Sequence, residues 1–483
     1  MKIPFTGGMS KGRSRNYAYN LRVNCYEERS NNPNDKENTA LVGTAGKKLF
    51  ASLSPDLGSE SRGMYTTALN RWFIVVGNTL FELDEKGFSN NRGNLNTLEG
   101  HVSMTDNGVY LMIVDGTNGY LYELSTNTLL VINAANYPNS TGFQDGSTHV
   151  KFLDQYAIVN RPNTFEFYIS NSGDFTAWSS LDLGTAEASP DNIQALETLN
   201  GDLWVFCDNS IQTFYNSGVG TQPFLPRKSS TLEFGCLAKS SIAKLNNSLF
   251  WLGSNKDGNR VVFKSVGYNA QRISDHSLEF LLSEMEVVSD AVGWAYQQEG
   301  HYFYVLTFKA SNVTYCWDDT TQTWHERSYS SSLGLVGRDR ALYNVLFNSK
   351  NYVSDFSNGN IYELRNDYYT DNQDEIIRTF TLPHLHNEQK YIYYDKILID
   401  METGVGLVTG QGNDPKIILS WSDDGGYNWS SNRYGSIGKM GKYGIRVRFS
   451  RLGRSRNRVF KLSVSDPVKF HVVNTSIESR VGA

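Results

Sequence analysis

One unit of short apolar strands and tight turns recurs along this chain, and that recurrence restricts the fold more than any other feature. Its clearest copy spans residues 102–124, VSMTDNGVYLMIVDGTNGYLYEL, and reads as strand, turn, strand, turn, strand. Asp106-Asn107-Gly108 and Asp115-Gly116-Thr117-Asn118-Gly119 are turn signals. Asn and Asp side chains bond their own backbone, and Gly takes positive φ without a steric penalty. Val109 to Val114 and Tyr120 to Leu124 are rich in strand formers. Related units run from about residue 62 to about 365. One pairs Trp72–Val76 with Leu80–Leu83 across Gly77-Asn78; others pair Tyr156–Val159 with Phe165–Ser170, and His301–Phe308 with Thr314–Trp317. A period of roughly 45 residues fits four-stranded propeller blades. A lone blade leaves an apolar face uncovered, and a ring of blades buries it. The spacing predicts an all-β chain with a β-propeller of about six blades, seven being the upper count, in preference to a linear array of β-sandwiches.

Composition agrees with many short strands. Aromatics reach 13%, and 42 Gly stand against 11 Pro. The 483 residues suffice for a large β body and smaller domains. Residues 1–60 are polar and irregular, and we expect an N-terminal arm that packs on something else or frays. Residues 61–374 form the expected propeller body, and 375–483 an additional C-terminal β domain beyond the polar linker Asn366 to Asp374. One helix is expected over His276 to Val288, capped by Ser274 or Asp275. Leu278, Leu281, Leu282, Met285 and Val288 form its core stripe.

Chemical motifs are mostly lacking. Gly8-Met9-Ser10-Lys11-Gly12 matches GxSxG but has neither the strand before nor the helix after that a nucleophile elbow requires. HExxH, GxxxxGK[ST] and GxGxxG do not occur, and the eight His are scattered. We expect no catalytic residue, cofactor or metal. Cys25, Cys207, Cys236 and Cys316 form no CxxC pair and read as free buried thiols. A net charge of −5 favours neither nucleic acid nor membrane globally. The opening residues carry no apolar signal stretch and no run suits a bilayer, so a soluble chain made in a cytoplasm is expected, with no stable membrane insertion. Ser422-Asp423-Asp424-Gly425-Gly426-Tyr427-Asn428-Trp429 fits SxDxGxxW, an Asp-box that shapes a hairpin turn and marks no site.

The sharpest electrostatic feature is Arg433 to Lys461, which holds ten basic residues and no acid. Arg446 and Arg448 share one strand face at period two, opposite Val447 and Phe449. Arg454, Arg456 and Arg458 repeat the arrangement. With Arg451, these are the candidates to contact a partner protein or DNA; the bland alternative is a solvated face.

Ordered strings along the chain resemble one family. They include Ala186 to Asp191 (AEASPD), Gly201-Asp202-Leu203-Trp204, Gly235 to Ser240 (GCLAKS) and Gln271 to His276 (QRISDH). Trp421 to Gly426 (WSDDGG), Arg451-Leu452-Gly453 and Asp466-Pro467-Val468 follow. The resemblance is to the packaged-DNA stabilisation proteins of short-tailed bacteriophages, the tail hub or nozzle proteins. It spans about residues 60–470, and the N-terminal arm matches least. It implies a non-enzymatic virion protein, assembled in the bacterial host cytoplasm as a homohexameric ring below the portal and its tail adaptor protein. Such a ring continues the channel for double-stranded DNA, helps retain the packaged genome and works in its ejection. It carries a tailspike or fibre protein and a tail plug or needle protein. Two other readings remain at this stage: a glycan-processing, sialidase-like propeller of a phage tail, and a propeller adhesion or scaffold protein.

Overall fold

The computed structural model describes residues 2–53, 60–132, 137, 146–219, 222–228, 230–254, 258–331, 334 and 336–482. Seven antiparallel blades follow one another around a ring among these residues, each of four strands except the fifth, where Gly235–Cys236 and Ala243–Leu245 share the inner position. Their innermost strands are Ser61–Thr66, Ser103–Asp106, Val150–Leu153, Ile193–Leu199, Ala243–Leu245, Val292–Gln298 and Ala341–Phe347. Each lies against the next, the 3-10 turn Lys239–Ser241 joining the fourth and fifth, and the seventh meets the first. The blade number is thus at the top of the expected range.

Apolar faces explain the closure. Trp72, Ile74 and Val76 pack on Val345, Tyr352 and Ile361 of the seventh blade. Phe73 and Val75 point the other way, onto Leu111, Ile113 and Tyr120 of the second. A strand covered on both faces reads as a continuous apolar run instead of an alternating one. The turns behave as their residue types require. Asp115 Oδ1 accepts from the amides of Thr117 and Asn118 at 2.9 and 2.6 Å, and Gly108 takes φ +82°. The helix is shorter than expected, His276–Ser283, with Asp275 Oδ1 accepting from the Leu278 amide at 2.7 Å. Leu278 and Leu282 enter the gap between the fifth and sixth blades.

The N-terminal residues correct the expectation of an irregular arm. Gly46–Ser52 pairs with Asn360–Arg365 as the outermost strand of the seventh blade, so the beginning of the chain fastens the ring shut. Cys25–Arg29 and Thr39–Gly43 join Ile392–Met401, Val447–Ser450 and His471–Val481 in one sheet of a C-terminal β-sandwich. The facing strands are Arg378–Thr381, Lys416–Ser422, Arg433–Ser436 and Asn457–Val464. Phe380, Ile397, Phe449, Phe460 and Leu462 fill the space between. Arg22–Val23 runs between Arg378–Thr381 and the outer strand of the sixth blade, Thr323–Ser330. One sheet of eleven strands therefore continues from propeller into sandwich. Asn24 staples this junction, its Nδ2 donating to the Ser328 and Ile377 carbonyls at 2.9 and 3.0 Å. The segments 1–60, 61–374 and 375–483 are thus crossed in space by residues 22–52, which serve both bodies. Strands of two to seven residues, several of them polar, are too short to show a period in sequence.

Candidate interface on the C-terminal sandwich

The strand Val447–Ser450 alternates as its sequence predicts. Val447 and Phe449 face the sandwich core, and Arg446 and Arg448 stand outside. These two arginines line a surface groove of about 470 Å³ together with Lys396, Asp400 and Glu478. The acids there are already engaged: Glu478 meets Lys396 at 2.8 Å, and Asp400 is bonded to Lys36.

Arg454 and Arg456 are exposed beside two tyrosines that the sequence reading did not single out. The Arg454 guanidinium lies 4.7 Å from the Tyr391 ring and 5.8 Å from Tyr393, and it donates to Tyr393 Oη at 3.1 Å. Arg456 lies 4.7 Å from the same Tyr391 ring. Such stacking holds a cation in place without cancelling its charge. The signal available in sequence was Tyr391-Ile392-Tyr393-Tyr394, in which Tyr391 and Tyr393 share one face of a strand.

Arg458 departs from the expected pattern. It is 2% exposed and faces inward, gripping Asp423 through Nε and Nη2 at 2.6 and 2.7 Å. Tyr394, Trp421 and Phe460 surround it. Arg454–Ser455 pairs with one sheet, whereas Asn457–Val464 belongs to the other. The crossover breaks the period of two, so Arg458 is no candidate for an outside partner. Arg433 and Lys461 are also used internally, over Trp421 at 4.8 Å and over Trp429 at 4.0 Å.

What remains is seven exposed cations: Lys439, Lys442, Arg446, Arg448, Arg451, Arg454 and Arg456. None of them makes an ion pair with an acid among the described residues. Exposed Tyr434, Met440 and Tyr443 lie in the same stretch of chain. A surface that is both cationic and aromatic suits an acidic partner face.

The Asp-box is a structural turn. Asp424 Oδ1 accepts from the Tyr427 and Asn428 amides at 3.0 and 2.9 Å, and its carboxyl is held well below the usual range by these and the other hydrogen bonds of the turn. The acid pair Asp318-Asp319 is likewise occupied. Asp318 bonds His301 Nδ1 at 2.8 Å, and Asp319 meets Lys264 at 2.7 Å. The four cysteines are buried and free, and burial pushes their thiols up. No group of His, Cys, Asp or Glu among the described residues could hold a metal. No helix among them is long and apolar enough to cross a membrane.

A seven-bladed ring interlocked with a β-sandwich defines a protein of the propeller class with a second β body. Two family profiles make this specific: that described as bacteriophage P22 Gp10, beta-propeller, matches residues 1–369, and that described as bacteriophage P22 Gp10, beta-sandwich, matches 377–480. The chain belongs to the bacteriophage P22 Gp10 family of phage DNA-stabilisation proteins and is a phage structural protein. Among curated proteins no sequence matches it. Solved structures similar to it include the extracellular domain of the two-component system BT4673 from B. thetaiotaomicron, at 11% identity and TM-score 0.43, covering 66% of this chain and 40% of that one. The WD40 propeller domain of Doa1 gives 11% identity and TM-score 0.42, covering 66% and 96% of the two chains. YCF48 from Cyanidioschyzon merolae gives 14% and 0.43, covering 66% and 99%. With scores this low, the propeller assignment rests on the strand pairing and the family profiles.

Proposed function

We propose that this phage structural protein is the subunit of a tail hub, or nozzle, below the portal and tail adaptor. The ring, a homohexamer assembled in the host cytoplasm, continues the channel for double-stranded DNA and helps retain the packaged genome. It anchors a tailspike or fibre protein and a plug or needle. The observation that carries this reading is the match of both family profiles, in order, across one chain. The shared sheet between the two bodies supports it, because a channel wall needs a subunit whose parts do not slide. The acids of the Asp-box and of the Asp318-Asp319 turn are engaged within the fold, so these two motifs lend the sialidase-like alternative no support.

In this reading the basic face of the sandwich meets a protein. Unpaired arginines on a channel lining would bind phosphates in a strongly salt-dependent way and hinder the passage of DNA. Electron microscopy of the purified chain mixed with portal and adaptor tests the proposal. Six-fold rings below the adaptor are expected. A chain that stays monomeric, with unmodified portal–adaptor particles, would overturn it.

A further inference from the structure

A second kind of site lies at the seam between propeller and sandwich. Arg378 is among the largest fully buried side chains, at 1% exposure, yet its Nε and Nη1 meet no acceptor. The contrast with Arg22, equally buried on the neighbouring strand, is direct. Arg22 donates from Nε to the Gly7 carbonyl at 3.1 Å and from Nη1 to those of Leu21 and Thr381 at 2.6 and 2.9 Å, and it also bonds the Phe5 carbonyl. A buried guanidinium without acceptors is costly, so it marks a place where an acceptor belongs.

Arg378 lines a pocket of about 250 Å³, bounded also by Tyr369, Lys469 and His471. The acids around it do not serve the guanidinium. Glu28 is held by His301 Nε2 at 3.0 Å, and the exposed Glu299 makes no ion pair among the described residues. Lys469 is paired with Glu402 at 2.8 Å. Cys25 Sγ donates to the Thr379 carbonyl at 3.6 Å. Gly43 lets the backbone close onto the guanidinium: a Cβ there would lie 2.5 Å from Arg378 Nε and 2.9 Å from its Cδ and would displace it. Its φ is not in the left-handed region, so close approach accounts for the glycine.

We infer that Arg378 and this pocket bind one oxyanion group, a carboxylate or phosphate, seated on the planar guanidinium fork between propeller and sandwich. Burial lowers the Arg378 pKa to about 10, which still leaves the side chain cationic at neutral pH. The oxyanion is either a free ion or a carboxylate of a neighbouring protein chain. It would tie the two bodies together at the seam.

Calorimetric titration of the full chain at constant ionic strength tests this with three probes: inorganic phosphate, a short peptide with a free C-terminal carboxylate, and its amide. Saturable binding of phosphate alone assigns a free ion; binding of the peptide but not its amide assigns a protein carboxylate. Either supports the site if Arg378→Lys, which keeps the charge but loses the fork, weakens binding by about tenfold or more. Gly43→Ala, which leaves every charge in place, is expected to weaken it too, and it serves if the arginine variants do not fold. No saturable binding by the folded native chain, or equal binding by the native and altered chains, would overturn the assignment. Ring assembly plays no part in this readout, so its outcome is separable from that of the hub proposal.

Discussion

The propeller and one face of the sandwich handle charge differently. In the propeller, many cations are matched to acids across strands and blades. Arg71 and Arg92 share Glu82, Lys151 meets Glu197, Arg227 meets Asp202, and Lys264 meets Asp319. In the sandwich, the segment from Lys439 to Arg456 presents seven cations and no paired acid. Matched charge completes a surface, whereas unmatched charge of one sign keeps it soluble and ready for a complementary face. The propeller is therefore the self-contained body, and the sandwich is the part that calls for a partner.

The comparison is broken most severely where the propeller's own charges are buried. Lys47, on the closing strand of the seventh blade, meets Asp339 at 2.7 Å and Asp371 at 3.3 Å, with all three side chains buried. Lys47→Met leaves two carboxylates without their shared cation and weakens the fastening strand. The expected loss is about 3–5 kcal/mol, read as a lower urea midpoint. An unchanged midpoint would show that the ring does not depend on this strand.

Next in size is a pH effect. His301 bridges Asp318 and Glu28 at 2.8 and 3.0 Å. Burial alone would lower its pKa, but the hydrogen bonds to these two carboxylates outweigh burial and raise it to about 9 from an ordinary 6.5. A raised folded-state pKa gives stability that is fully present below about pH 6.5 and is lost as pH climbs through about 9. The loss is on the order of 2–3 kcal/mol. Glu28 shifts the opposite way, its pKa lowered chiefly by the His301 hydrogen bond, and so adds stability that disappears in acid. His301→Gln is expected to flatten the urea midpoint between pH 6.5 and pH 9; an equally steep decline in the variant would place the titrating group elsewhere.

The repeat was legible because a blade's strands are buried on both faces, and aromatic and β-branched runs with Asp-Gly and Asn-Gly turns leave few other folds. The cationic strand was legible because Val447 and Phe449 alternate with Arg446 and Arg448. Two things were not legible. Residues 22–52 look like an arm because strands such as Arg22–Val23 take their partners from residues three hundred or more positions away, and two residues hold no period. Arg458 looks like a third exposed arginine because nothing local announces that the chain changes sheets after Ser455. Long-range pairing decided both outcomes, and local pattern carries no trace of it.

That crossover yields the smallest stability effects and the sharpest test of the comparison. Arg458→Ala removes a side chain enclosed by three aromatic rings and frees Asp423, which is exposed enough to rehydrate. A loss of about 2 kcal/mol is expected. Arg454→Ala and Arg456→Ala, four and two positions earlier on the same basic run, touch only exposed tyrosines and are expected to change stability by no more than about 0.5 kcal/mol. Their effect belongs to assembly. If the sandwich face receives a protein partner, the double variant folds normally yet joins portal–adaptor particles poorly, and salt weakens attachment of the native chain. If that face instead held DNA, particles would form normally and leak genome. A double variant that assembles and retains DNA like the native chain would reduce the basic face to a solvated one and erase the difference between the two bodies.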